Sequence, residues 1–230
     1  QGRGGGERGG GRGVRKRLSR FLPVGLSGYI EESGKGFCQE LLTLSLDRRE
    51  TYIEGYWQDE RYFYDISDVL RDELQITRAE KYLDTDWSSL VLGDTAVAVH
   101  VRWYAPPPGN PREQDALRKY YGRAIEEMDR RLGKPHYFVF SDIPEAAIAV
   151  VPVLGNRITF VDAFRDDAQG ITTFATMQLC RHFVIANSTF SWWAAWLGQR
   201  EDSVVIAPSP ANIRPNWWPD DIVPPTWHTV

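Results

Sequence analysis

Between residues 95 and 207, five short apolar runs are interleaved with helical patterns, and that alternation restricts the fold more than any other feature of the chain. The runs are TAVAVHV (Thr95–Val101), HYFVF (His136–Phe140), RITFV (Arg157–Val161), HFVIA (His182–Ala186) and SVVIA (Ser203–Ala207). Most positions in them are apolar, without an inward–outward period, so these strands are buried on both faces. Helical patterns lie between them. Leu117, Tyr121, Ile125, Met128 and Leu132 form one apolar stripe. PEAAIAVVPVL opens a short helix with Pro144 in its first turn, Thr173–Arg181 predicts a third helix and Ser188–Leu197 a fourth. Strand–helix alternation of this kind predicts an α/β fold with a parallel sheet covered on both sides. Ligands bind outside the carboxyl ends of the strands in such sheets. The rule selects His100–Tyr104, Ser141–Asp142, Asp162–Phe164 and Asn187–Ser191 as the candidate rim.

The preceding third is less regular. Residues 1–20 are a Gly/Arg-rich arm that cannot pack. An RNA-binding tail is its functional reading and a solvated tail its plain one; we read it as a tail. From Phe21 to Glu54 the signals are mixed. TYIEGYW (Thr51–Trp57) predicts a short strand, and Phe63, Ile66, Leu70 and Leu74 predict a helix over QDERYFYDISDVLRDEL. The expected organisation is thus an arm (1–20), a partial N-terminal lobe with a linking helix (21–90) and a ligand-binding lobe (91–230).

Charge excludes one class of partner. The arm holds seven basic groups against Glu7 alone, which leaves 20 basic and 30 acidic groups beyond Arg20, a balance of about −10. That sign is wrong for generic phosphate-backbone binding, so no nucleic-acid partner is expected of the body, and any phosphate site must be local. Cys38 and Cys180 lack metal-ligand spacing and are read as two buried thiols, with a disulfide between them as the alternative. The four histidines also lack it. Asp84-Thr85-Asp86 spells a metal-binding triplet but does not end a strand, so it is read as chance. There is no Gly-Lys-Ser/Thr phosphate loop. No apolar run reaches the roughly 18 residues of a membrane span, and the start lacks the apolar segment of a signal peptide.

Three segments carry chemistry. In ANSTFSWWAAWLG (Ala186–Gly198), Asn187, Ser188 and Thr189 are candidate caps of a helix whose first-turn amides, with small hydroxyls beside them, face the sheet edge. A diphosphate suits that position; the plain reading is a capped helix with packed Trp192, Trp193 and Trp196. His100 and Arg102 end the first strand of the sheet, where a guanidinium can fork onto phosphate oxygens or serve as a structural ion-pair partner. Asp142 ends the next strand and can accept from a guanine edge or simply cap a loop.

On these segments the chain resembles the α-1,2-fucosyltransferases, the GDP-fucose-dependent glycosyltransferase family 11. GYWQDERYF (Gly55–Phe63), MQLCRHFVIANSTFSWWAAWLG (Met177–Gly198), VVIAP (Val204–Pro208) and PPTW (Pro224–Trp227) extend the similarity from about Glu54 to the end. The resemblance implies a GT-B-like glycosyltransferase with a Rossmann-like C-terminal nucleotide-binding lobe and a shortened N-terminal one. It implies inverting, metal-independent transfer of fucose from GDP-fucose to a galactoside hydroxyl on a glycan acceptor, with no cofactor. His100 would lie near the nucleotide, Arg102 would hold the β-phosphate as the catalytic cation, Asp142 would contact guanine, and Ser188–Phe190 would line the diphosphate beside Asn187. Expected localisation is cytoplasmic or peripherally membrane-associated in a bacterium, or the Golgi lumen given an upstream anchor.

Two departures from the family's pattern stand out. Its His-x-Arg-Arg-x-Asp motif has Trp103 and Ala105 here at the second Arg and the Asp, and the Gly-rich entry to the first lobe is absent. Loss of one donor to a developing anion costs about 10²–10³-fold in rate. Either Arg112 or Lys119 compensates, or activity is reduced, or phosphate is handled differently. Asp115 and Glu113 are the candidate bases for the acceptor hydroxyl. The rival expectation is a weak or inactive nucleotide-sugar- or glycan-binding module.

Overall fold

The computed structural model describes residues 29–32, 36–43, 51–55, 57–74, 76, 88–103, 111–161, 168–209 and 221–230. The arm, Asp84–Asp86, Tyr104, Ala105 and Asp162–Phe164 lie outside them. The chain forms two compact units: Gln1–Asp65 with Pro219–Ile222, and Ile66–Trp218 with Val223–Val230.

In the smaller unit, β1 (Tyr29–Glu31) pairs in parallel with β2 (Tyr52–Glu54), with Tyr29 opposite Tyr52. The expected strand over 51–57 is therefore only three residues long. It stops before Trp57, whose φ of 52° lies in the left-handed region that a bulky side chain rarely enters. Asp59 and Asp221 hold the Arg61 guanidinium, which lies 4.3 Å from the centroid of the Phe37 ring. Gly36, at φ 96°, lets the backbone approach Asp221, whose carboxylate oxygen would sit 2.6 Å from an added Cβ.

The larger unit begins with α1 (Ser67–Glu73) and α2 (Ser88–Val91). One long helix over 58–74 is not what forms. Tight turns at Glu60–Tyr62 and Tyr64–Ile66 come first, the earlier one started by Asp59 accepting from the Arg61 amide. Three residues per turn rotates each side chain about 120° rather than 100°, so the expected stripe breaks up. Ile66 and Leu74 are exposed.

Next come β3 (Ala96–Val101), α3 (Pro111–Leu132), β4 (His136–Ser141), α4 (Pro144–Val150) and β5 (Ile158–Phe160). They are followed by α5 (Ala168–Leu179), β6 (His182–Val184), α6 (Thr189–Gly198), β7 (Val205–Ala207) and β8 (His228–Thr229). Helix α5 starts five residues before the expected Thr173. Strand β8 had no signal: its two residues are too few to carry a period and acquire strand geometry only by pairing with β7.

The six strands are all parallel, in the order β5-β4-β3-β6-β7-β8. Counted from β3 this is 3-2-1-4-5-6, the Rossmann order. All six residues of β3 are buried, as an apolar central strand requires. Val97, Val99, Val101, Tyr137 and Val139 join Tyr121, Ile125 and Met128 of α3 in one core, so α3 covers that face. Helix α6 covers the other: an added Cβ on Gly198 would meet the α5 backbone at Gln178 and the Phe183 ring within 2.9 Å.

Candidate active site

The strand order reverses between β3 and β6, and the crevice at that switch point is where an open α/β sheet binds its ligand. The chain brings His100, Arg102, Asn187, Ser188, Thr189 and Phe190 to its two walls.

On the β3 wall, Val99, Val101 and Trp103 belong to the α3-side core, so His100 and Arg102 alternate to the α6 face. The His100 ring lies 5.5 Å from that of Phe190, and Phe190 lies 5.2 Å from Phe174 of α5. His100 is buried, and its Nδ1 has no hydrogen-bond partner among the described residues. Burial, and secondarily the Arg102 charge, push its pKa down to about 3. It is thus a neutral imidazole at physiological pH and offers a hydrogen bond rather than a charge.

Arg102 Nη1 pairs with Asp142 Oδ2, and Asp142 Oδ1 accepts from the Trp103 amide at 3.2 Å. Two sequence-identified residues from neighbouring strands therefore meet each other. The carboxylate aims the guanidinium, whose side chain keeps 42% of its surface exposed. Trp103 is 6% exposed and packs in the core, so the second arginine position of the family motif serves packing here. Of the suggested compensating cations, Lys119 is engaged at 2.7 Å by Asp115, and that pair is largely solvent-exposed on α3. Arg112 is likewise exposed, in the first turn of α3 with Glu113.

On the β6 wall, Asn187 and Ser188 are buried. Ser188 occupies the N-cap in extended conformation, and its carbonyl accepts from Trp192 N at 2.9 Å. Its hydroxyl makes no cap bond, contrary to the expectation of side-chain capping. The hydroxyl that turns inward is that of Ser191, 3.1 Å from the Ser188 carbonyl oxygen. The first-turn amides of α6 thus receive no bond from the Ser188 side chain, and a helix start left open in this way can receive an anion. The helix is anchored by packing. Trp192 and Trp196 are buried and stacked at 6.2 Å, Trp227 lies 5.5 Å from Trp192, and Arg71 lies over Trp196 at 4.1 Å. The tryptophans are core, and the start of their helix is the candidate binding element.

Elsewhere, both cysteines are free, and burial holds the Cys180 thiol far above its ordinary pKa. Among the described residues no three His, Cys, Asp or Glu side chains cluster in a way that would hold a metal ion. No helix among them is long and apolar enough to cross a membrane. A cleft of about 450 Å³ bordered by Arg71, Arg200, Glu201 and Trp227 precedes β7 and β8, at the end of the sheet away from the switch point. Sequence reasoning missed Tyr120 and Tyr121 as site-supporting groups. The place of Tyr121 in the α3 stripe was readable, but that of Tyr120 was not, nor where either hydroxyl reaches.

Comparison with known proteins gives a family and two relatives. A family model described as Glycosyl transferase family 11 matches residues 38–229. An α-1,2-colitosyltransferase of Escherichia coli is 28% identical over 177 residues, 75% of this chain and 60% of that protein. The O-antigen biosynthesis glycosyltransferase WbnK of Escherichia coli is 35% identical over 89 residues, 39% of this chain and 29% of its own length. The chain therefore spans 60% or less of these relatives. No solved structure matches it.

Proposed function

The chain belongs to glycosyl transferase family 11, and from that premise we propose that it binds GDP-fucose in the β3–β6 crevice and transfers fucose, with inversion, to a galactoside hydroxyl in α-1,2 linkage. The observation that carries this reading is the pairing of an aimed, half-exposed Arg102 on one wall with a first turn of α6 that the Ser188 side chain does not cap on the other. Negative charge accumulates on the departing GDP as the anomeric bond breaks. A guanidinium and a helix N-terminus therefore stabilise the transition state more than the ground state. Both positive groups would already stand at the crevice, so in this reading the departing charge is neutralised without a metal ion. Asn187, Ser188, Thr189 and Phe190 would line the diphosphate and His100 would donate or accept one uncharged hydrogen bond. Asp142 would contact guanine while steering Arg102. In this reading the Rossmann-ordered sheet is the donor lobe of a GT-B architecture.

The donor sugar and the rate are the finer questions. The name of one relative makes colitose the competing sugar. Burial of Trp103 where the family carries a second arginine favours slow turnover, by roughly 10²–10³-fold. Calorimetric titration of GDP, GDP-fucose and GDP-mannose, with and without EDTA, tests donor class and metal need together. The expected result is GDP and GDP-fucose binding that EDTA leaves unchanged, followed by GDP release once a galactoside is added. Binding without release would convert the assignment to a nucleotide-sugar-binding module; no binding would remove it.

A further inference from the structure

At the switch point the strand ladders run out. The β3–β6 pairing ends at Val99 opposite Val184, and the β6–β7 pairing at Val184 opposite Ile206. Two hydroxyls from α3 reach carbonyls at these ends. Tyr121 donates to the His100 carbonyl at 2.8 Å. Tyr120 donates to the Ile185 carbonyl at 2.5 Å, with the Ile206 carbonyl a longer 3.3 Å away. Both side chains are buried, and their rings pack edge to face at 4.8 Å, so they form one unit. Burial raises the Tyr120 pKa well above its ordinary value, which keeps that hydroxyl a donor.

The positions of the acceptors give the pair its meaning. His100 lies two residues before Arg102, and Ile185 two residues before Asn187. Each tyrosine therefore grips the backbone just below one wall of the crevice, and adjacent positions on a single helix join the two grips. A carbonyl leaving a ladder needs some donor. Water would satisfy it without fixing the spacing of the strands, whereas a pair of rigid side chains does both. We propose that Tyr120 and Tyr121 are positioning residues, a brace that sets the width of the β3–β6 crevice and so fixes Arg102 relative to the first turn of α6. The proposal rests on reading that crevice as the GDP-sugar site.

Tyr137 supplies the matched control. It too is fully buried, and its hydroxyl donates to Asp129 Oδ1 at 2.7 Å, but it stands near the amino end of β4. On the full chain, Tyr120→Phe, Tyr121→Phe and Tyr137→Phe are compared by thermal melting, GDP titration, and kcat and KM with GDP-fucose and a galactoside. A role in stability alone moves all three variants alike. The brace predicts that all three melt earlier but that only Tyr120→Phe and Tyr121→Phe lose kcat, by roughly tenfold, with Tyr137→Phe within about twofold of wild type. Combined with Arg102→Ala, Tyr121→Phe should add less than about twofold, because the brace acts through that arginine. Should Tyr120→Phe not fold, Tyr121→Phe decides. Equal kinetics in all three variants would overturn the brace while leaving the proposed function intact. A wild-type chain that neither binds GDP nor transfers would remove both.

Discussion

The two walls of the crevice supply positive charge in opposite ways. On the β3 side it is a full charge on a side chain: Arg102 is half-exposed and ion-paired with Asp142. On the β6 side it is the partial charge of backbone amides, on a helix fixed by stacked Trp192 and Trp196 and by Arg71 above them. A side-chain charge can follow a leaving group as it moves, at the cost of needing to be aimed. A helix start cannot move but loses no entropy when the anion arrives. In the proposed function, pairing one of each would give a site with a fixed cradle and an adjustable cation.

Mutation should expose that asymmetry. Arg102→Ala removes the cation outright and is expected to lower kcat/KM by roughly 10²–10³-fold with an unchanged melting temperature; steady-state kinetics beside a thermal melt checks both. Asp142→Asn keeps the shape but loses the charge that aims Arg102, and should lower kcat by about tenfold. Its effect on kcat should vanish in an Arg102→Ala background, leaving only the loss in GDP affinity that comes from the guanine contact.

A pH series sharpens the same wall. The His100 pKa is depressed to about 3, against about 6.5 in an unfolded chain. Between those values the unfolded chain takes up a proton that the folded one refuses. The stabilisation is therefore complete above about pH 6.5 and is lost as pH falls toward 3. Denaturant titrations across that range should show a steeper acid limb for wild type than for His100→Asn, by up to about 1.4 kcal/mol per pH unit.

The smallest effect belongs to the β6 wall. Ser188→Ala should change kcat/KM by less than about threefold, since its hydroxyl makes no cap bond and the backbone supplies the cradle. A hundredfold loss there would transfer the chemistry from amides to hydroxyl and abolish the contrast.

What the sequence revealed follows the same division between local and tertiary causes. Buried parallel strands announce themselves by continuous apolar runs, so β3, β4, β6 and β7 were legible, and the stripe of α3 was legible by its period. The helix start at Ser188 was legible because strand, small polar residues and apolar helix follow in order. Strand β8 was not, since two residues carry no period and exist as a strand only through β7. Nor was the broken helix before Ser67, because a 3.6-residue period does not reveal that a local Asp59 turn will interrupt it. The Arg102–Asp142 pair joins residues 40 apart, and the reach of Tyr120 and Tyr121 depends on how α3 crosses the strand ends. Both are products of sheet order, which no single segment encodes.

The most direct measurement is a crystal structure of the chain with GDP. The account predicts the diphosphate between Arg102 and the amides of Thr189, Phe190 and Ser191, with the His100 ring beside it. Nucleotide bound instead in the cleft of Arg71 and Arg200, with Arg102 still closed on Asp142, would contradict it.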